Sequence, residues 1–386
     1  MTDMTSLPVS VRPQQAALEE LLRDVHARRR EFETLGYLPQ EIIDRFKALG
    51  VYRSLVAKRF GGDECAPAEF CRLIELLSEA DGSAGWVASF GIGAVYLSAL
   101  PVATLEKLYA SGGVDQVFAG GIFPPQPAQA VEGGHKVSGR WQFSSGSMGA
   151  DVLGVGIIPA VKDQAPLPRM AVMLRNQARI ESNWDVMGLK ATGSNDLVVD
   201  GAVVPDDWTF VRGGASSLDT PLYRYPALAF AAQVLAVVGL GIGRGAINEV
   251  LRMAGNRKSV TGAPNLGDRV YVQLEVAKIE AELRAARSWF YEAIDDVWQV
   301  LMAGGKPEDH LISMLRLSTT HASRVGADVA RRAQMLSGMT GVYESSPLAQ
   351  QVRDAQMVTQ HAFMGDITYQ NAGAMLFGLS PLPGYL

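Results

Sequence analysis

The spacing of hydrophobic residues changes twice along the 386-residue chain and divides it into three parts. Between residues 13 and 115, apolar residues recur three and four positions apart, as they do on one face of a helix. Pro39 and Pro67 stand at first-turn positions, and Gly50 ends the second helix. This pattern predicts an N-terminal helical domain over 13–115.

The middle part, 116–215, is rich in Gly, Pro and β-branched residues. The stretch from Val137 to Phe143 alternates between apolar and polar residues, as a half-buried strand does. Further strands are predicted in the apolar runs 153–158, 170–174 and 197–204. Because the connections are short and contain no helix, we expect an antiparallel sheet or barrel and not βαβ units.

Helical spacing returns in the last part of the chain, which we assign to a C-terminal domain over 220–386. Four long helices in one block are typical of a bundle. The predicted fold class is therefore α+β, with the β domain between two helical ones. The long helices are predicted at about 227–254, 269–303, 307–338 and 346–364.

Composition and charge exclude several classes of function. A net charge of -5 and a pI near 5.7 argue against a nucleic-acid or anionic-membrane partner. The apolar stretch Ala227 to Ile247 is broken by Gln233 and Arg244, so it does not read as a membrane span. Cys65 and Cys71 form neither a zinc set nor a disulfide framework, and no signal peptide is visible. We expect a cytoplasmic protein.

Nucleotide, nucleophile and metal motifs are absent from the sequence. The alternating glycines Gly239, Gly241, Gly243 and Gly245 lie inside one helical pattern, without the strand and the acidic residue that a dinucleotide site requires. They predict close helix packing instead. A chain with so little chemistry of its own is typical of an enzyme whose cofactor performs the difficult step.

The strand that ends in Ser144-Ser145-Gly146 is a candidate surface for a flat ring. Alternation places Trp141, Phe143 and Ser145 on one side of it, which gives an aromatic wall ending in a hydroxyl group and Gly146. Such a wall suits a heteroaromatic ring that needs one hydrogen bond. The alternative is a sheet core followed by a turn serine.

Two further segments offer groups for a phosphate or a ring carbonyl. The loop 187–195 contains Thr192, Gly193 and Ser194, whose hydroxyls and backbone donors could hold such a group, although turn chemistry explains them equally well. Arg257, with Lys258 beside it, could neutralise a phosphate, and a solvated basic pair is the alternative.

His361 is the histidine with the most suggestive surroundings. It lies on a predicted helix that ends near Gly365, among amide and apolar residues. A lone histidine in such a place is either a catalyst or a residue of the core or surface. A second helix, 84–100, carries Trp86 and Tyr96 among small residues, which allow either a flat ring or another helix to approach.

These segments occur in an order that resembles the acyl-CoA dehydrogenase superfamily over about residues 15–380. In the dehydrogenases a catalytic glutamate usually lies nine residues after the Arg of the Arg-Asp-Ala motif, and here that position is Ala362. The similarity rests on Phe60-Gly61-Gly62, Trp141-x-Phe143-x-Ser145-Gly146, Gly188 to Ser194 with its strand, and Gly338 and Gly341 before Arg353-Asp354-Ala355.

The chain is more similar to the reduced-flavin-dependent monooxygenases built on the same fold. In that branch a histidine lies eight residues after the Arg, as His361 does after Arg353, and Ser145 matches the serine that faces the flavin N5 region. The resemblance implies an acyl-CoA dehydrogenase-like fold with a helical domain, a β-barrel and a four-helix bundle, commonly as a homotetramer. It also implies reduced flavin (FADH2 or FMNH2) from a separate NAD(P)H-flavin reductase, with O2 as co-substrate.

From the resemblance we expect hydroxylation of a small phenol- or indole-like substrate through a C4a-hydroperoxyflavin. Ser145 would hydrogen-bond near N5, and His361 would take a proton from a phenol OH or an indole NH. The expected substrate pocket contains Trp86, Tyr96 and Phe363. The main alternative is an acyl-CoA dehydrogenase with a relocated base, and a non-catalytic homologue is the second.

Overall fold

The computed structural model describes residues 3–159, 168–256, 264–382 and 384–385. Helices, strands and helices follow one another in the predicted order, while the domain limits themselves stay predictions. The predicted helix 84–100 is divided in two by a 3-10 turn at Ser89–Ile92. The N-terminal helices are α1 (Gln15–Leu35), α2 (Gln40–Leu49), α3 (Pro67–Ala80), α4 (Gly82–Ala88), α5 (Gly93–Leu97) and α6 (Val102–Gly112).

Seven strands form one sheet in the order β5-β6-β2-β1-β3-β4-β7. This order leaves β5 and β7 at the two edges, so the described sheet is open and the predicted closed barrel is not observed. The strands are β1 (Phe118–Val131), β2 (Gly134–Trp141), β3 (Val152–Pro159), β4 (Arg169–Leu174), β5 (Arg179–Glu181), β6 (Asp196–Pro205) and β7 (Thr209–Val211).

The sheet is mixed, and the prediction of a purely antiparallel sheet was wrong for one pair. β1 pairs with β2 through a hairpin, but it pairs with β3 in parallel, with Phe118 opposite Val152. The chain leaves β2, crosses to the other side of β1 through residues 142–151, and then enters β3 in the direction of β1. This crossover carries the serine segment that the sequence singled out.

The C-terminal part is helical, and α8 lies at its centre, packed on α3, α10 and α11. In the described part of the chain, α8 is the one helix long and apolar enough to span a membrane, but 78% of its apolar window is buried in the protein. That burial makes it a core helix. The helices are α7 (Pro221–Arg224), α8 (Ala227–Asn256), α9 (Val270–Met302), α10 (Asp309–Leu336), α11 (Pro347–Gln360) and α12 (Ile367–Leu376).

The alternating glycines of α8 confirm the prediction of close helix packing. A Cβ atom at Gly243 would lie 3.2 Å from the Cα atom of Gly326 in α10, and one at Gly245 would lie 2.6 Å from the carbonyl oxygen of Glu79 in α3. A Cβ atom at Gly326 would overlap the carbonyl oxygen of Gly239. The glycines therefore face two neighbouring helices in turn, and backbone meets backbone without side chains between them.

The helix that carries the Arg-Asp-Ala motif ends earlier than predicted. α11 stops at Gln360, and His361 follows it with an extended backbone (φ -64, ψ 140) before a 3-10 turn at Ala362–Met364. The predicted continuation to Gly365 was wrong. The side chain of His361 caps the following turn instead, because its Nδ1 atom accepts a hydrogen bond from Phe363 N.

Candidate active site

The crossover 142–151 and the loop 187–195 are joined by backbone hydrogen bonds. Gly146 N donates to Thr192 O at 2.9 Å, and Ser144 N donates to Asn195 O at 3.1 Å. Gly146 has a left-handed φ of 72°, which favours glycine at this tight turn. Two segments predicted separately to bind one cofactor are thus held together in the folded chain.

A chain of hydroxyl groups runs between these two segments. Ser145 Oγ lies 2.6 Å from Ser194 Oγ, which lies 2.7 Å from Thr192 Oγ1. Thr192 Oγ1 donates to the carbonyl oxygen of Leu189 at 2.8 Å. Because a carbonyl can only accept, this last bond sets the direction of the others: Ser194 donates to Thr192, and Ser145 donates to Ser194.

The direction of the chain leaves Ser145 as a hydrogen-bond acceptor. Its proton is used by Ser194, whereas its oxygen lone pairs have no donor among the described residues. Ser145 is 7% exposed. The oxygen therefore suits an N–H donor, and reduced flavin carries such an N–H at N5 whereas oxidised flavin does not. On this observation the residues present fit a reduced flavin.

The aromatic residues of the crossover differ from the predicted wall on one side of a strand. β2 ends at Trp141, which is fully buried and donates from Nε1 to Gly156 O at 2.8 Å. Phe143 has a φ of 60° and is 67% exposed, with the ring of Trp184 perpendicular to it at 6.2 Å. Trp141 thus supports the segment from within the sheet, and Phe143 offers the open aromatic face.

The other predicted cofactor residues have supporting positions. Thr192 and Ser194 are buried behind Ser145, and a Cβ atom at Gly193 would lie 3.1 Å from Cβ of Tyr37. These three residues would act on a ligand through Ser145 and through the shape of the loop. Arg257 lies outside the described residues.

The loop 187–195 is fastened to α11. Leu189 N donates to Asp354 Oδ1 at 2.6 Å, and a Cβ atom at Gly188 would overlap the carbonyl of Arg353. Glycine at this position therefore lets the loop reach the helix. Asp354 precedes His361 by seven residues, so one helix positions both the loop and the histidine.

Two buried carboxyl groups share this region. Burial and the charge of Asp81 raise the pKa of Asp354 well above its ordinary value, and burial raises the pKa of Asp81 to about 6. Asp81 Oδ1 accepts from Ala84 N at 2.8 Å and caps α4, while Asp81 Oδ2 accepts from Gln350 Nε2 of α11 at 3.1 Å. Asp81 thus links the start of α4 to α11.

Helix α4 connects the serine segment with His361. A Cβ atom placed on Gly146 would lie 3.7 Å from Cγ1 of Val87. The neighbouring residue, Trp86, contacts the ring of His361 with centroids 5.9 Å apart. Phe363 contacts the other side of the site, with its centroid 5.0 Å from that of His361. The segment beside Ser145 and the ring of His361 therefore lie against adjacent residues of α4, and two of the three predicted pocket residues contact His361.

The geometry of His361 changes the role expected for it. Its Nδ1 atom accepts from Phe363 N at 3.3 Å, so in the neutral ring the proton lies on Nε2. Burial, and then the charge of Arg212, lower the pKa of His361 to about 4. As arranged, Nε2 can donate a hydrogen bond but cannot accept a proton. The base role expected from the sequence would require the ring to exchange its tautomer.

Sequence reasoning missed Arg212, which follows β7. Its guanidinium carbon lies 4.0 Å from the ring centroid of Tyr96, the third predicted pocket residue. The charge of Arg212 also contributes, after burial, to the lowered pKa of His361. The sequence did contain one indication of a binding residue: Arg212 is a single cation at the end of a strand, and Gly213-Gly214 follows it without an acidic neighbour.

Open depressions elsewhere on the surface do not contain this site. One lies between β2, β5 and β6, and another between residues 213–227 and 301–307. Neither is lined by Ser145, His361, Trp86 or Tyr96. The candidate site is therefore located by its side chains and their contacts.

Comparison with known proteins gives the family. Residues 233–366 match the model of the acyl-CoA dehydrogenase C-terminal domain. The chain is 59% identical to an indole-3-acetate monooxygenase of Pseudomonas putida over 385 residues, covering 99% of each chain. The chain belongs to the family of this indole-3-acetate monooxygenase. A second indole-3-acetate monooxygenase, from Acinetobacter baumannii, is 50% identical and covers 100% of both chains.

More distant relatives place the family among flavin-dependent monooxygenases. The oxygenase subunit HsaA of Mycobacterium tuberculosis, named as flavin-dependent, is 26% identical over 95% of each chain. The crystal structure of a 3-HSA hydroxylase from Rhodococcus sp. RHA1 has a TM-score of 0.88 at 24% identity, over 96% of this chain and 98% of that one. These likenesses confirm the predicted fold family and the predicted enzyme class.

One solved neighbour contains the two kinds of ligand that the site would hold. TdsC from Paenibacillus sp. A11-2, in complex with FMN and indole, has a TM-score of 0.83 at 18% identity, over 96% of this chain and 98% of that one. At this identity the comparison shows the fold alone. The acyl-CoA dehydrogenase-like fold is thus common to chains that differ in most of their residues.

Proposed function

We propose that this chain is the oxygenase component of a two-component monooxygenase that acts on indole-3-acetate or a closely related indole acid. It uses reduced flavin and O2. The observation that carries the proposal is the arrangement along α4, where the segment of Ser145, a hydrogen-bond acceptor, approaches Val87 and the ring of His361 contacts Trp86 and Phe363. The 59% identical relative supports the choice of substrate.

The flavin would be held at the junction of the crossover and the loop 187–195. Reduced flavin, when bound, supplies the electrons that activate O2 for transfer of one oxygen atom to the substrate. Ser145 Oγ would accept a hydrogen bond from the flavin, and the exposed ring of Phe143 would provide an apolar contact.

The indole ring would lie against Trp86 and Phe363, because flat apolar rings stack or meet edge to face at such surfaces. Tyr96 and Arg212 would form the next part of the pocket. His361 Nε2 would donate a hydrogen bond to an oxygen atom in the site, and it holds a proton at neutral pH. An electron-rich indole ring does not need to lose its N–H proton before oxygenation, which agrees with a donor role for His361.

A separate NAD(P)H-flavin reductase would supply the reduced flavin, in the cytoplasm. The relative from Mycobacterium tuberculosis is named as an oxygenase subunit, which supports a divided system. A diffusing reduced flavin requires a site that favours the reduced form, and the acceptor at Ser145 meets this requirement.

The C-terminal helices would form a four-helix bundle that assembles into a homotetramer. Exposed apolar side chains are concentrated in this part of the chain, and large apolar patches on a surface mark interaction sites. Light scattering of the purified protein tests the tetramer, and a monomeric mass would refute it. The exposed residues include Val270, Tyr271, Leu274, Met335, Met339, Val342, Tyr343, Leu376 and Phe377.

The function is tested with the purified chain, a generic flavin reductase, NADH, indole-3-acetate and ¹⁸O₂. We expect one ¹⁸O atom in the product, measured by mass spectrometry, with catalase present to remove free peroxide. A reaction without the reductase is the control. No labelled product would refute the proposal, and bleaching of bound oxidised flavin by an acyl-CoA without O2 would instead support a dehydrogenase.

A further inference from the structure

Arg212 has an environment that is incomplete without a ligand. Its Nε atom is buried, and no hydrogen-bond acceptor for it is present in the described part of the chain. No described carboxylate forms an ion pair with its guanidinium group, whose contact is the ring of Tyr96 at 4.0 Å. The side chain as a whole is half-buried, but its Nε–H is shielded from water. A buried N–H group without an acceptor loses its hydration without compensation.

The arrangement leaves room for an anion. A guanidinium group stacked over an aromatic ring uses its face for the ring and keeps its N–H donors free at its edge. Those donors match the two oxygens of a carboxylate, which accept a bidentate pair of hydrogen bonds. The neighbouring His361 is neutral at neutral pH, so the Arg212 guanidinium supplies the positive charge for an anion there.

The position of Arg212 relates it to the substrate. Arg212 lies on the ring of Tyr96 in α5, and Trp86 in α4 contacts His361, where the indole ring is proposed to lie. The charge of Arg212 also contributes to the lowered pKa of His361. Tyr96 belongs to α5, which follows α4 after one turn. An indole ring that carries a short acid side chain would therefore extend from an aromatic site into a cationic one.

We propose that Arg212 binds the carboxylate of the substrate and thereby selects indole acids over neutral indoles. This inference rests on the proposed function. Arg212 is a specificity-determining residue that contacts the substrate side chain, and it takes no part in the oxygen transfer. The ring of Tyr96 contacts the face of the guanidinium and holds it in place, while the edge of the guanidinium binds the carboxylate.

The experiment compares indole-3-acetate with indole-3-acetamide, a neutral analogue of nearly the same shape. In the Arg212→Met variant we expect KM for the acid to rise about 10-fold to 10²-fold, the usual consequence of losing hydrogen bonds between charged groups. KM for the amide should change by less than about threefold, because a neutral side chain makes no charged pair. Arg212→Lys keeps the positive charge but lacks the planar pair of N–H donors, so it should recover part of the affinity for the acid.

Arg72→Met provides a matched control. Arg72 also lies over a tyrosine ring, with its guanidinium carbon 4.8 Å from the centroid of Tyr291, but it belongs to α3 and not to the site. Loss of a stacked arginine for structural reasons would lower thermal stability in both variants. The ratio of acid to amide KM should change in Arg212→Met and remain unchanged in Arg72→Met.

Two results would overturn the proposal. An equal loss for acid and amide would show that Arg212 has a structural role. Weaker binding of reduced flavin by Arg212→Met, measured by anaerobic titration, with an unchanged acid-to-amide ratio would show that Arg212 holds the flavin.

Direct binding keeps this test separate from the proposed function. Calorimetry with flavin-free protein measures the affinity for indole-3-acetate without turnover. If the wild-type chain oxygenates neither compound yet binds the acid, and Arg212→Met does not, the assigned activity fails while the carboxylate site stands. If both proteins bind the acid equally, the assignment of Arg212 is wrong.

Discussion

Ser145 and Ser194 share a hydrogen bond of 2.6 Å between their hydroxyl oxygens, and its direction is fixed from the far end of the chain by the Leu189 carbonyl. The proton of Ser145 is therefore committed to Ser194. A ligand beside Ser145 can therefore donate a hydrogen bond to its Oγ atom but cannot accept one from it. If flavin binds here as proposed, this relationship favours the reduced form, because only that form carries an N–H at N5.

Removing Ser194 should weaken that preference. In Ser194→Ala, the Ser145 proton loses its acceptor and becomes available to N5 of oxidised flavin. We expect the ratio of the Kd for oxidised flavin to that for reduced flavin to fall about fivefold, the worth of one hydrogen bond of about 1 kcal/mol. Anaerobic fluorescence titration measures both values. Ser144→Ala is the control, because Ser144 Oγ is buried without a hydrogen-bond partner in the described structure. An unchanged ratio would contradict the hydrogen-bond direction.

The two possible roles of His361 give different results with glutamine. The amide nitrogen of Gln can donate near the position of Nε2 but cannot take up a proton. If His361 donates, His361→Gln should keep a substantial part of kcat while His361→Ala loses about 10²-fold or more, the usual contribution of a positioned proton-transfer or hydrogen-bonding group. Product formation is measured by chromatography.

His321→Gln is the matched control for this comparison. His321 packs on Trp289 with centroids 5.7 Å apart, much as His361 packs on Trp86, but it belongs to α10 away from the serine segment. Its activity should remain at the wild-type level. Equal losses in His361→Gln and His361→Ala would restore the base role expected from the sequence.

The low pKa of His361 makes a prediction about stability at acid pH. In the unfolded chain a histidine has a pKa of about 6.5, whereas burial lowers that of His361 to about 4. Below pH 6.5 the unfolded state therefore binds a proton that the folded state does not, so the free energy of unfolding falls as the pH falls. Between pH 6.5 and pH 5 the loss is at most about 2 kcal/mol. Urea denaturation at both pH values should show a smaller loss for His361→Gln, and an identical loss would contradict the assignment.

Replacing Asp354 with a neutral residue that keeps its hydrogen bond should raise the stability of the folded protein. Its pKa is raised by burial and by Asp81, so the protein loses stability as the pH rises through that raised value. Asp354→Asn keeps an acceptor for Leu189 N and removes the charge, so its Tm should exceed the wild-type Tm at pH 8, with a smaller difference at pH 5. Asp354→Ala should lower Tm at both pH values, because Leu189 N loses its partner.

Asp366→Asn is the surface control for Asp354. Its side chain is largely exposed, and it pairs with Arg324 at 2.8 Å. A change of less than about 0.5 kcal/mol in the free energy of unfolding is expected for such a surface pair. If Asp354→Asn behaves like Asp366→Asn at pH 8, the proposed repulsion between Asp354 and Asp81 is absent.

Gly326 should not tolerate a methyl group. Its Cβ atom would overlap the carbonyl of Gly239, and α8 and α10 would have to separate, at a cost of about 1–3 kcal/mol or more for overpacking. Gly255→Ala in α8 is the control, because no atom lies within 4 Å of its added Cβ, and alanine there should stabilise the helix by about 0.5–1 kcal/mol. Thermal unfolding of both variants measures the difference.

The parts of the fold set by local spacing were predictable. Long helices, strand runs and the packing role of the α8 glycines followed from apolar periodicity, because each element buries one face. The parallel pairing of β1 with β3 was not predictable in this way. It depends on the path of the crossover 142–151 over β1, and strand spacing carries no information about such a path.

The candidate site was predictable in its members more than in their roles. His361 contacts Trp86 and Phe363, and the segment of Ser145 approaches the same helix, while the roles of these residues stay predictions. Trp141 does not share a face with Phe143 as predicted, because alternation stops where Phe143 takes a positive φ, and such a break depends on tertiary contacts. Arg212 escaped notice because its significance lies in lacking an acidic partner among the described residues, which only folding reveals.

Helix α11 carries the anchor of the cofactor loop, Asp354, and ends immediately before His361, about 10 Å further along its axis at 1.5 Å per residue. A shift of this helix would disturb both ends of the reaction centre together. Laboratory evolution toward new substrates should therefore find few acceptable changes on its buried face. The neighbouring segments α4 and α5, which touch the substrate side without holding the loop, are the better starting point for diversification.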